Sequence, residues 1–460
     1  MHNTLRLEHY ANLAEYPHGY LLSPNDPGSN TYTSRLIQQE LASVPDPPFF
    51  HIGSDETATL GEGQTQAYVA QRGRSQVYAD HINAMNRIVQ QASPRTQIML
   101  WDDGIETDPG IMRLIPRSAV IINWHYGSEK SFQPYISLIA DGGFEQMVAP
   151  GANNWNEIYP DINTALANEN LFITEAKASN RNCVSTPRLC RYARHDILGV
   201  FQTVWHDDGE SLFEATWYPV IYSASSAWEK GSISPERFQA DFPHAFFGSE
   251  DSRYGDDIAK LSDVVTRLEA PSKYDATNHL FWSSLGDSFV NKNMATVDLR
   301  AVRLESEAVE THLLQSHPPL HANVAVVMFL AARKFDLTGR KFQSMQEIAD
   351  MYADAQRRVA SARAGDSPDQ RVIRDLMWCK YWFWELRDAY EELEPLYARE
   401  WRYEDRESHL AGNLERYHVM AQDAIGHADF MYRVLYEDYI PKRELPRSLD
   451  FARDDIGGAP

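Results

Sequence analysis

Two adjacent carboxylic acids, Asp55 and Glu56, are the strongest candidates for chemistry in this sequence. They follow residues 47–53 (PPFFHIG), an apolar segment with the length and aromatic content of a buried strand. Two carboxyl groups at one strand end can divide acid–base work, one donating a proton while the other orients a substrate group or balances charge. A chain with 65 acidic residues also produces such pairs by chance in solvated loops. The surrounding sequence must decide between these interpretations.

Four further apolar runs of strand length occur in the first half of the chain, and each ends in polar or aromatic residues. The runs are residues 96–101, 119–124, 144–149 and 198–205. The residues that follow them are Asp102-Asp103, His125-Tyr126, Asn153-Asn154-Trp155 and His206-Asp207-Asp208. Amphipathic stretches such as residues 64–92 separate the runs, and strands that alternate with helices predict a parallel sheet. Polar residues at the carboxyl end of every strand favour a (β/α)8 barrel over an open sheet.

Three tryptophans, Trp101, Trp124 and Trp205, stand at strand ends beside an acid or an amide. A tryptophan by itself is more often part of a hydrophobic core. Sugars, however, present an apolar C–H face and a polar edge, so flat indole rings beside carboxylates suit a carbohydrate site. The repeated placement at strand ends favours the binding interpretation.

Taken in order, these segments resemble the strand-end motifs of glycoside hydrolase family 20, the β-N-acetylhexosaminidases. Residues 51–56 (HIGSDE) are similar to the fourth-strand motif His-x-Gly-Gly-Asp-Glu, with Ser54 in place of the second glycine. The family's motifs at the ends of strands five to eight have counterparts here in residues 100–103 (LWDD), 123–126 (NWHY), 150–156 (PGANNWN) and 203–208 (TVWHDD). The resemblance covers roughly residues 1–250 and implies a TIM-type barrel. Serine at position 54 leaves the assignment of the acids intact unless the backbone there needs a positive φ.

The resemblance implies an exo-acting, retaining hydrolase of terminal β-linked N-acetylglucosamine or N-acetylgalactosamine. In this family the substrate's own 2-acetamido oxygen attacks the anomeric carbon and forms an oxazolinium, in place of a protein nucleophile. Glu56 matches the family's general acid/base, and Asp55 matches the carboxylate that orients the acetamide and balances its charge. Asp207 matches the acid that binds outer sugar hydroxyls, with Asp208 or Glu210 as alternatives.

The resemblance also implies an aromatic enclosure for the acetamide group. Trp101, Trp124 and Trp205 match its walls, and Trp155 is expected to shape the same side of the pocket. A tyrosine of the family donates to the acetamide oxygen. Tyr126 is the preferred candidate for that role here, and Tyr159 is the alternative.

Composition and motifs exclude several other functions. A formal charge of −22 repels phosphate backbones and anionic membranes, so nucleic acid and membrane surfaces are not expected partners. His125 and His206 lie beside acids without a metal-binding spacing, and no phosphate-binding glycine loop occurs, so we expect no metal and no cofactor. The three cysteines lack the CxxC spacing of a zinc site; a Cys183–Cys190 bridge is an alternative to free thiols in a reducing compartment. With no apolar stretch of eighteen residues and no signal-peptide pattern at the start, the sequence predicts a cytoplasmic protein.

The second half of the chain has a different texture. Long charged segments with helical periodicity occupy residues 293–315, 320–336, 344–363 and 368–403. We therefore predict a partial barrel over residues 1–231, containing strands four to eight, and an α-helical domain over residues 232–460. By family resemblance the first three strands are absent, and the fold class is an N-terminally incomplete α/β barrel. The aromatic stretch at residues 376–384 is either core packing between helices or the surface of a homodimer.

Two alternatives to the hexosaminidase remain open. A truncated carbohydrate-binding remnant would keep the acid pair but fail to hold the sugar for catalysis. A two-carboxylate barrel glycosidase would use Asp102 or Asp207 as its nucleophile and act on sugars without an acetamide. For the hexosaminidase and for the carbohydrate-binding remnant, the expected partners are glycans that contain N-acetylhexosamine.

Overall fold

The computed structural model describes residues 2–24, 26–44, 46–185, 197–229, 233–272, 276–363 and 365–447. Within them the chain is mixed α/β and mostly helical, with one five-stranded parallel sheet. Cys379 is a buried free thiol, whereas the side chains of Cys183 and Cys190 lie outside the described residues.

The sheet confirms the five predicted strands. They are β1 (Phe49–His51), β2 (Gln97–Trp101), β3 (Val120–Trp124), β4 (Glu145–Ala149) and β5 (Ile197–Val200). All neighbouring pairs are parallel, and the spatial order is the sequence order, β1-β2-β3-β4-β5. The strands are shorter than the apolar runs because residues such as 52–53 and 201–205 leave the extended ladder to form the loops at the carboxyl edge.

Alternation along the strands separates the two faces of the sheet. In β2, Ile98 and Leu100 pack into the apolar cluster with the neighbouring helices, so Met99 and Trp101 point to the opposite face. The imidazole of His51 on β1 lies 4.6 Å from the indole of Trp101, between ring centroids, and 5.8 Å from the ring of Phe201 just after β5. A flat sheet would separate its outer strands by about 19 Å, at about 4.8 Å per interval. The sheet is therefore strongly curved, with these aromatic rings on its concave face.

Helices flank the sheet and make up the rest of the described chain. The helices of the first part are α1 (His2–Leu5), α2 (Pro27–Ser43), α3 (Gln66–Arg72), α4 (Arg74–Ala92), α5 (Asp103–Thr107), α6 (Gln133–Gly142), α7 (Ile162–Ser185) and α8 (Trp217–Trp228). The helix predicted over residues 64–92 is interrupted at Gly73, whose φ of 82° is a conformation that ends helices. Short 3₁₀ turns cover Glu8–Leu13, Pro109–Arg113 and Phe213–Thr216.

The remaining helices confirm the predicted helical texture and its breaks after residues 315 and 363, but not the break expected between residues 336 and 344. They are α9 (Pro235–Ala245), α10 (Arg253–Ser272), α11 (Thr277–Trp282), α12 (Ser288–Met294), α13 (Leu299–Gln315), α14 (Ala322–Ser361), α15 (Gln370–Glu404), α16 (Leu410–Arg433) and α17 (Ile440–Lys442), with a π-helical turn at Val434–Tyr439. The segments expected at 320–336 and 344–363 form one helix, α14, because residues 337–343 continue its 3.6-residue pattern with Leu337 and Phe342 buried, and the single Gly339 among them does not end it.

The aromatic stretch of α15 has a buried face and an exposed face. Leu376, Cys379 and Phe383 are fully buried, as core packing requires. Trp378 and Tyr381 lie on another face of the same helix and are 49% and 40% exposed. The stretch is therefore core on one side and an exposed aromatic surface on the other.

The chain packs into two compact units. The first contains residues 1–151, 167–203 and 223–233, and holds the whole sheet. The second contains residues 152–166, 204–222 and 234–460, with α13, α14, α15 and α16 packed side by side. The predicted boundary between residues 231 and 232 remains a prediction about domains. No helix in the described ranges is long and apolar enough to cross a membrane.

Candidate active site

The two acids lie in a loop with an unusual backbone. Immediately after β1, Gly53, Ser54 and Glu56 all have positive φ, at 74°, 76° and 49°. Residues other than glycine rarely adopt this region, at a cost of about 1–2 kcal/mol each. Two contacts hold the loop: the hydroxyl of Tyr78 donates to the Ser54 carbonyl at 2.9 Å, and the Glu56 N–H donates to the Asp103 carboxylate at 2.7 Å.

Serine at position 54 is therefore placed where glycine would be unstrained. Position 54 has a positive φ, so the condition under which serine would weaken the assignment of the two acids is fulfilled. Its Oγ is also buried, with no hydrogen-bond partner in the described part of the chain. The loop nevertheless keeps its shape, since both anchoring bonds use the backbone and leave the Ser54 side chain out.

Asp103 connects the elements of this site. It follows β2 by two residues and begins α5, which places its carboxylate against the loop that follows β1. Burial raises the pKa of Asp103, the Glu56 N–H lowers it, and the charge of Asp55 raises it again. The indole N–H of Trp124 also lowers this pKa, although its geometry falls short of a standard hydrogen bond. The backbone of Glu56, the charge of Asp55 and the indole of Trp124 thus surround one carboxylate.

The environments of the two acids differ. Asp55 is half-buried and lines a cavity of about 380 Å³ between β1, α2 and α4, whereas Glu56 is exposed. Tyr78, His51 and His81 line the same cavity, and the charges of Asp103 and Asp55 add to burial in raising the pKa of Tyr78. Burial lowers the pKa of both histidines to about 4, so each imidazole is neutral near pH 7. The Nδ1 atom of His51 accepts from the Gly53 N–H at 3.0 Å, in agreement with a neutral ring.

The aromatic residues predicted after β2 and β3 lie on the concave face. Trp101 is 7% exposed and packs between His51 and Phe201. The indole of Trp124 is half-buried and its centroid lies 5.0 Å from that of Tyr126, which is itself partly exposed. Trp101 therefore serves mainly as packing behind the loop, while Trp124 and Tyr126 present aromatic surface.

Asp102 has a structural environment that does not suit a nucleophile. Its side chain is 1% exposed, its Oδ1 accepts from the Trp124 N–H at 3.1 Å, and burial raises its pKa well above the usual range. Burial disfavours the ionised form that a nucleophilic carboxylate needs, which argues against the two-carboxylate mechanism through this residue. Its Oδ2 instead points toward Glu106 and His125, and the three ligand atoms lie within 4.8 Å of one another.

The other predicted site residues belong to the second unit. The side chain of Asn154 bonds the backbone of Trp205 in both directions, Nδ2 to the carbonyl at 2.6 Å and the Trp205 N–H to Oδ1 at 3.2 Å. This pair fixes the segment of Trp155 to the segment of Trp205. Asp207 is exposed and follows directly.

The two alternatives to Asp207 are engaged in internal contacts. Asp208 accepts from the N–H groups of Glu210 and Ser211 at 3.1 and 3.2 Å, which shapes the turn. Glu210 is 2% exposed and accepts from the indole N–H of Trp282 at 2.8 Å. Asp207 is therefore the acid of this segment that faces solvent.

The two tyrosine candidates are placed differently. Tyr159 is 2% exposed in the core of the second unit, and burial raises its pKa. Tyr126 lies in the first unit beside Trp124 and is partly exposed. This contrast favours Tyr126 for contact with a ligand.

Sequence reasoning missed two residues that shape the acid pair. Asp103 was noted only as a polar strand end, and Tyr78 lay unremarked within a predicted helix. The available signal for the second was a Tyr on α4 directly after buried Val77 and one turn before buried Ile82. Nothing in the linear sequence indicated that Asp103 would bond the backbone of Glu56.

Comparison with known proteins gives one relative at low identity. The chain is 26% identical over 129 residues to hexosaminidase D from Bos taurus. The match covers 27% of this chain and 37% of that protein, so the chain spans well under half of the relative's length. No protein-family profile matches the chain.

Proposed function

We propose that this protein is a retaining β-N-acetylhexosaminidase of glycoside hydrolase family 20 that acts on terminal β-linked N-acetylglucosamine or N-acetylgalactosamine. The observation that carries the proposal is the arrangement around Asp103. One half-buried carboxylate holds the backbone of Glu56, feels the charge of Asp55 and lies against the indole of Trp124. The similarity to a hexosaminidase supports the same activity at a coarse level.

The mechanism we propose divides the work between the two acids. Glu56 is exposed at the loop and protonates the departing glycosidic oxygen, then takes a proton from the water that completes hydrolysis. Asp55 accepts the acetamide N–H and balances the positive charge of the oxazolinium formed when the acetamide oxygen attacks C1. Asp103 acts on the reaction through Glu56, as a positioning residue.

The family resemblance assigns further sugar contacts to aromatic residues and to Asp207. Trp124 and Tyr126 supply a partly exposed aromatic surface on the first unit, suited to the apolar face of a sugar and its acetamide. We assign Trp101 to the wall behind them. In the second unit, Trp155 and Trp205 are assigned to aromatic contacts and Asp207 to the outer sugar hydroxyls.

We infer that the five strands are the fourth to eighth strands of a (β/α)8 barrel. Two observations support this: all neighbouring strands are parallel and in sequence order, and the sheet is curved enough for His51 on β1 to contact Phe201 after β5. In a doubly wound open sheet the strand order reverses at a switch point, and here it does not.

The test is hydrolysis of an aryl β-N-acetylglucosaminide by the purified chain. We expect turnover by the wild type, and a loss of at least about 100-fold in kcat for Glu56→Gln, because a general acid contributes about 10²–10⁴-fold. Glu8→Gln is the matched control, since that glutamate is 90% exposed and far along the chain from the site. A wild type no faster than Glu56→Gln would refute the enzymatic proposal.

Two further arms test the mechanism. A substrate-assisted enzyme requires the acetamide, so equal rates on aryl glucosides would instead support a two-carboxylate glycosidase. Asp55→Asn should lower kcat more than it raises KM, because its charge balance matters most in the transition state. Saturable binding of N-acetylglucosamine with no turnover would support the carbohydrate-binding remnant.

A further inference from the structure

Three side-chain atoms in the first unit converge on one point without bonding one another. They are Oδ2 of Asp102, Oε1 of Glu106 and Nε2 of His125, all within 4.8 Å of each other. Each atom is buried, and none has a hydrogen-bond partner in the described ranges of the chain. Buried polar atoms in native proteins are nearly always paired, so three orphans at one place need an explanation.

The elements of the fold create this convergence. Asp102 ends β2, and Glu106 lies four residues later on the first turn of α5, so both carboxylates occupy the same side of that turn. His125 follows the adjacent strand β3, which pairs with β2 in parallel and brings both strand ends to one edge. The imidazole is fixed from the other side by Tyr135, whose ring centroid lies 3.7 Å away.

The distances fit a shared central ligand better than direct pairing. Nε2 of His125 lies 2.9 Å from Oε1 of Glu106 and 3.9 Å from Oδ2 of Asp102. The 2.9 Å contact is short enough for a hydrogen bond, yet its angles do not make one. Ligands held about 2.0–2.2 Å from a tetrahedral ion are separated by about 3.3–3.6 Å, a value between the two observed distances.

The negative charges of the neighbouring carboxylates also favour a bound cation at this point. Asp102 is 1% exposed, Glu106 is 30% exposed, and the half-buried Asp103 is close enough for its charge to act on Asp102. Several carboxylates taken out of water within a few ångströms of each other repel strongly unless a positive charge compensates them. Of the three side chains that converge here, only that of His125 can carry a positive charge.

We propose that Asp102, Glu106 and His125 bind one divalent transition-metal ion, with Zn²⁺ the best match. One imidazole and two carboxylates are ligands that zinc accepts, and three protein ligands leave the fourth position for water or for a substrate group. The site also anchors the end of β3, because the other oxygen of Asp102 accepts a hydrogen bond from the Trp124 N–H. The inference is independent of the proposed hydrolysis.

The experiment measures binding of Zn²⁺ to the purified full chain in the absence of substrate. Protein stripped with a chelator and desalted is titrated with Zn²⁺ by calorimetry, and retained zinc is counted by elemental analysis. We expect one tight ion per chain, and a weakening of at least about tenfold in Glu106→Gln and in His125→Gln. Co²⁺ in place of zinc should give the intense visible absorption of a low-coordinate ion in the wild type and lose it in both variants.

The control is a histidine–carboxylate pair that lacks the third ligand. His244 lies 2.8 Å from Glu250, but both are exposed, so His244→Gln should leave the tight site unchanged. Circular dichroism establishes that each variant is folded, and Glu106→Gln decides the result if His125→Gln does not fold. Absence of tight zinc binding in the wild type, or binding unaffected by Glu106→Gln, would overturn the proposal.

Discussion

Ser54 offers the sharpest test of the local structure, since its backbone and its side chain are both unfavourable. Its φ of 76° costs a residue with a Cβ about 1–2 kcal/mol, and its buried, unpaired hydroxyl costs about 1–3 kcal/mol. Ser54→Ala removes the hydroxyl and keeps the strain. Ser54→Gly removes both, but the greater freedom of glycine in the unfolded chain lowers the free energy of unfolding by about 0.4–1 kcal/mol.

The expected result is an ordered series of stabilities. We expect Ser54→Ala to raise the free energy of unfolding by about 1 kcal/mol and Ser54→Gly by about 2 kcal/mol. Urea denaturation followed by tryptophan fluorescence measures both, because Trp101 and Trp124 are in the same unit as Ser54. The Ser54 carbonyl keeps its bond from Tyr78 in either variant.

Ser93→Gly provides the control for glycine itself. Ser93 is 5% exposed in the same unit, has a φ of −145°, and accepts a hydrogen bond from Thr96 at 2.7 Å, so its replacement should destabilise. The reasoning about strain is wrong if Ser54→Gly is no more stable than Ser54→Ala. If both variants are less stable than the wild type, the hydroxyl is not an unpaired group.

Four further predictions concern stability, pH, catalysis and assembly. Burial lowers the pKa of His51 and His81 to about 4, so on acidification the unfolded chain binds protons before the folded chain does. The free energy of unfolding should therefore fall from about pH 6.5 toward pH 4, by about 2 kcal/mol per histidine between about pH 7 and pH 5. In urea titrations, His81→Phe should remove half of this loss. Lys341 is fully buried and donates to three backbone carbonyls and one hydroxyl. Lys341→Met should therefore lower the free energy of unfolding of the second unit by about 3 kcal/mol, measured by urea denaturation. A change under about 0.5 kcal/mol would contradict this. Asp103→Ala releases the backbone of the proposed acid and should lower kcat by about 100-fold with little change in KM, and a rate equal to wild type would remove its positioning role. Trp378→Glu tests the predicted homodimer: sedimentation should show dimer loss, and a monomeric wild type would end that interpretation.

The sequence predicted the sheet because strand signals are local. Each of the five apolar runs overlaps a strand, and alternation with helices correctly indicated parallel pairing. Boundaries were less certain. The break at Gly73 and the continuity of α14 depend on single residues whose effect periodicity alone does not reveal.

The sequence also identified where polar chemistry would lie, though not how it would be arranged. Asp55 and Glu56 were placed after a strand, and parallel pairing makes the ends of adjacent strands neighbours. That argument brings Trp124 near the loop without specifying any contact.

Only the tertiary structure decided the contacts that organise the site. The bond from the Glu56 N–H to Asp103 joins residues 47 positions apart, and the meeting of Asp102, Glu106 and His125 requires two strand ends and a helical turn at once. The curvature that brings His51 to Phe201 likewise exists only in the assembled sheet. Residue types and spacing carry the preferences of each segment, whereas backbone strain, burial and the approach of distant carboxylates arise when those segments pack. The identity of the acids was therefore readable from the chain, and their geometry was not.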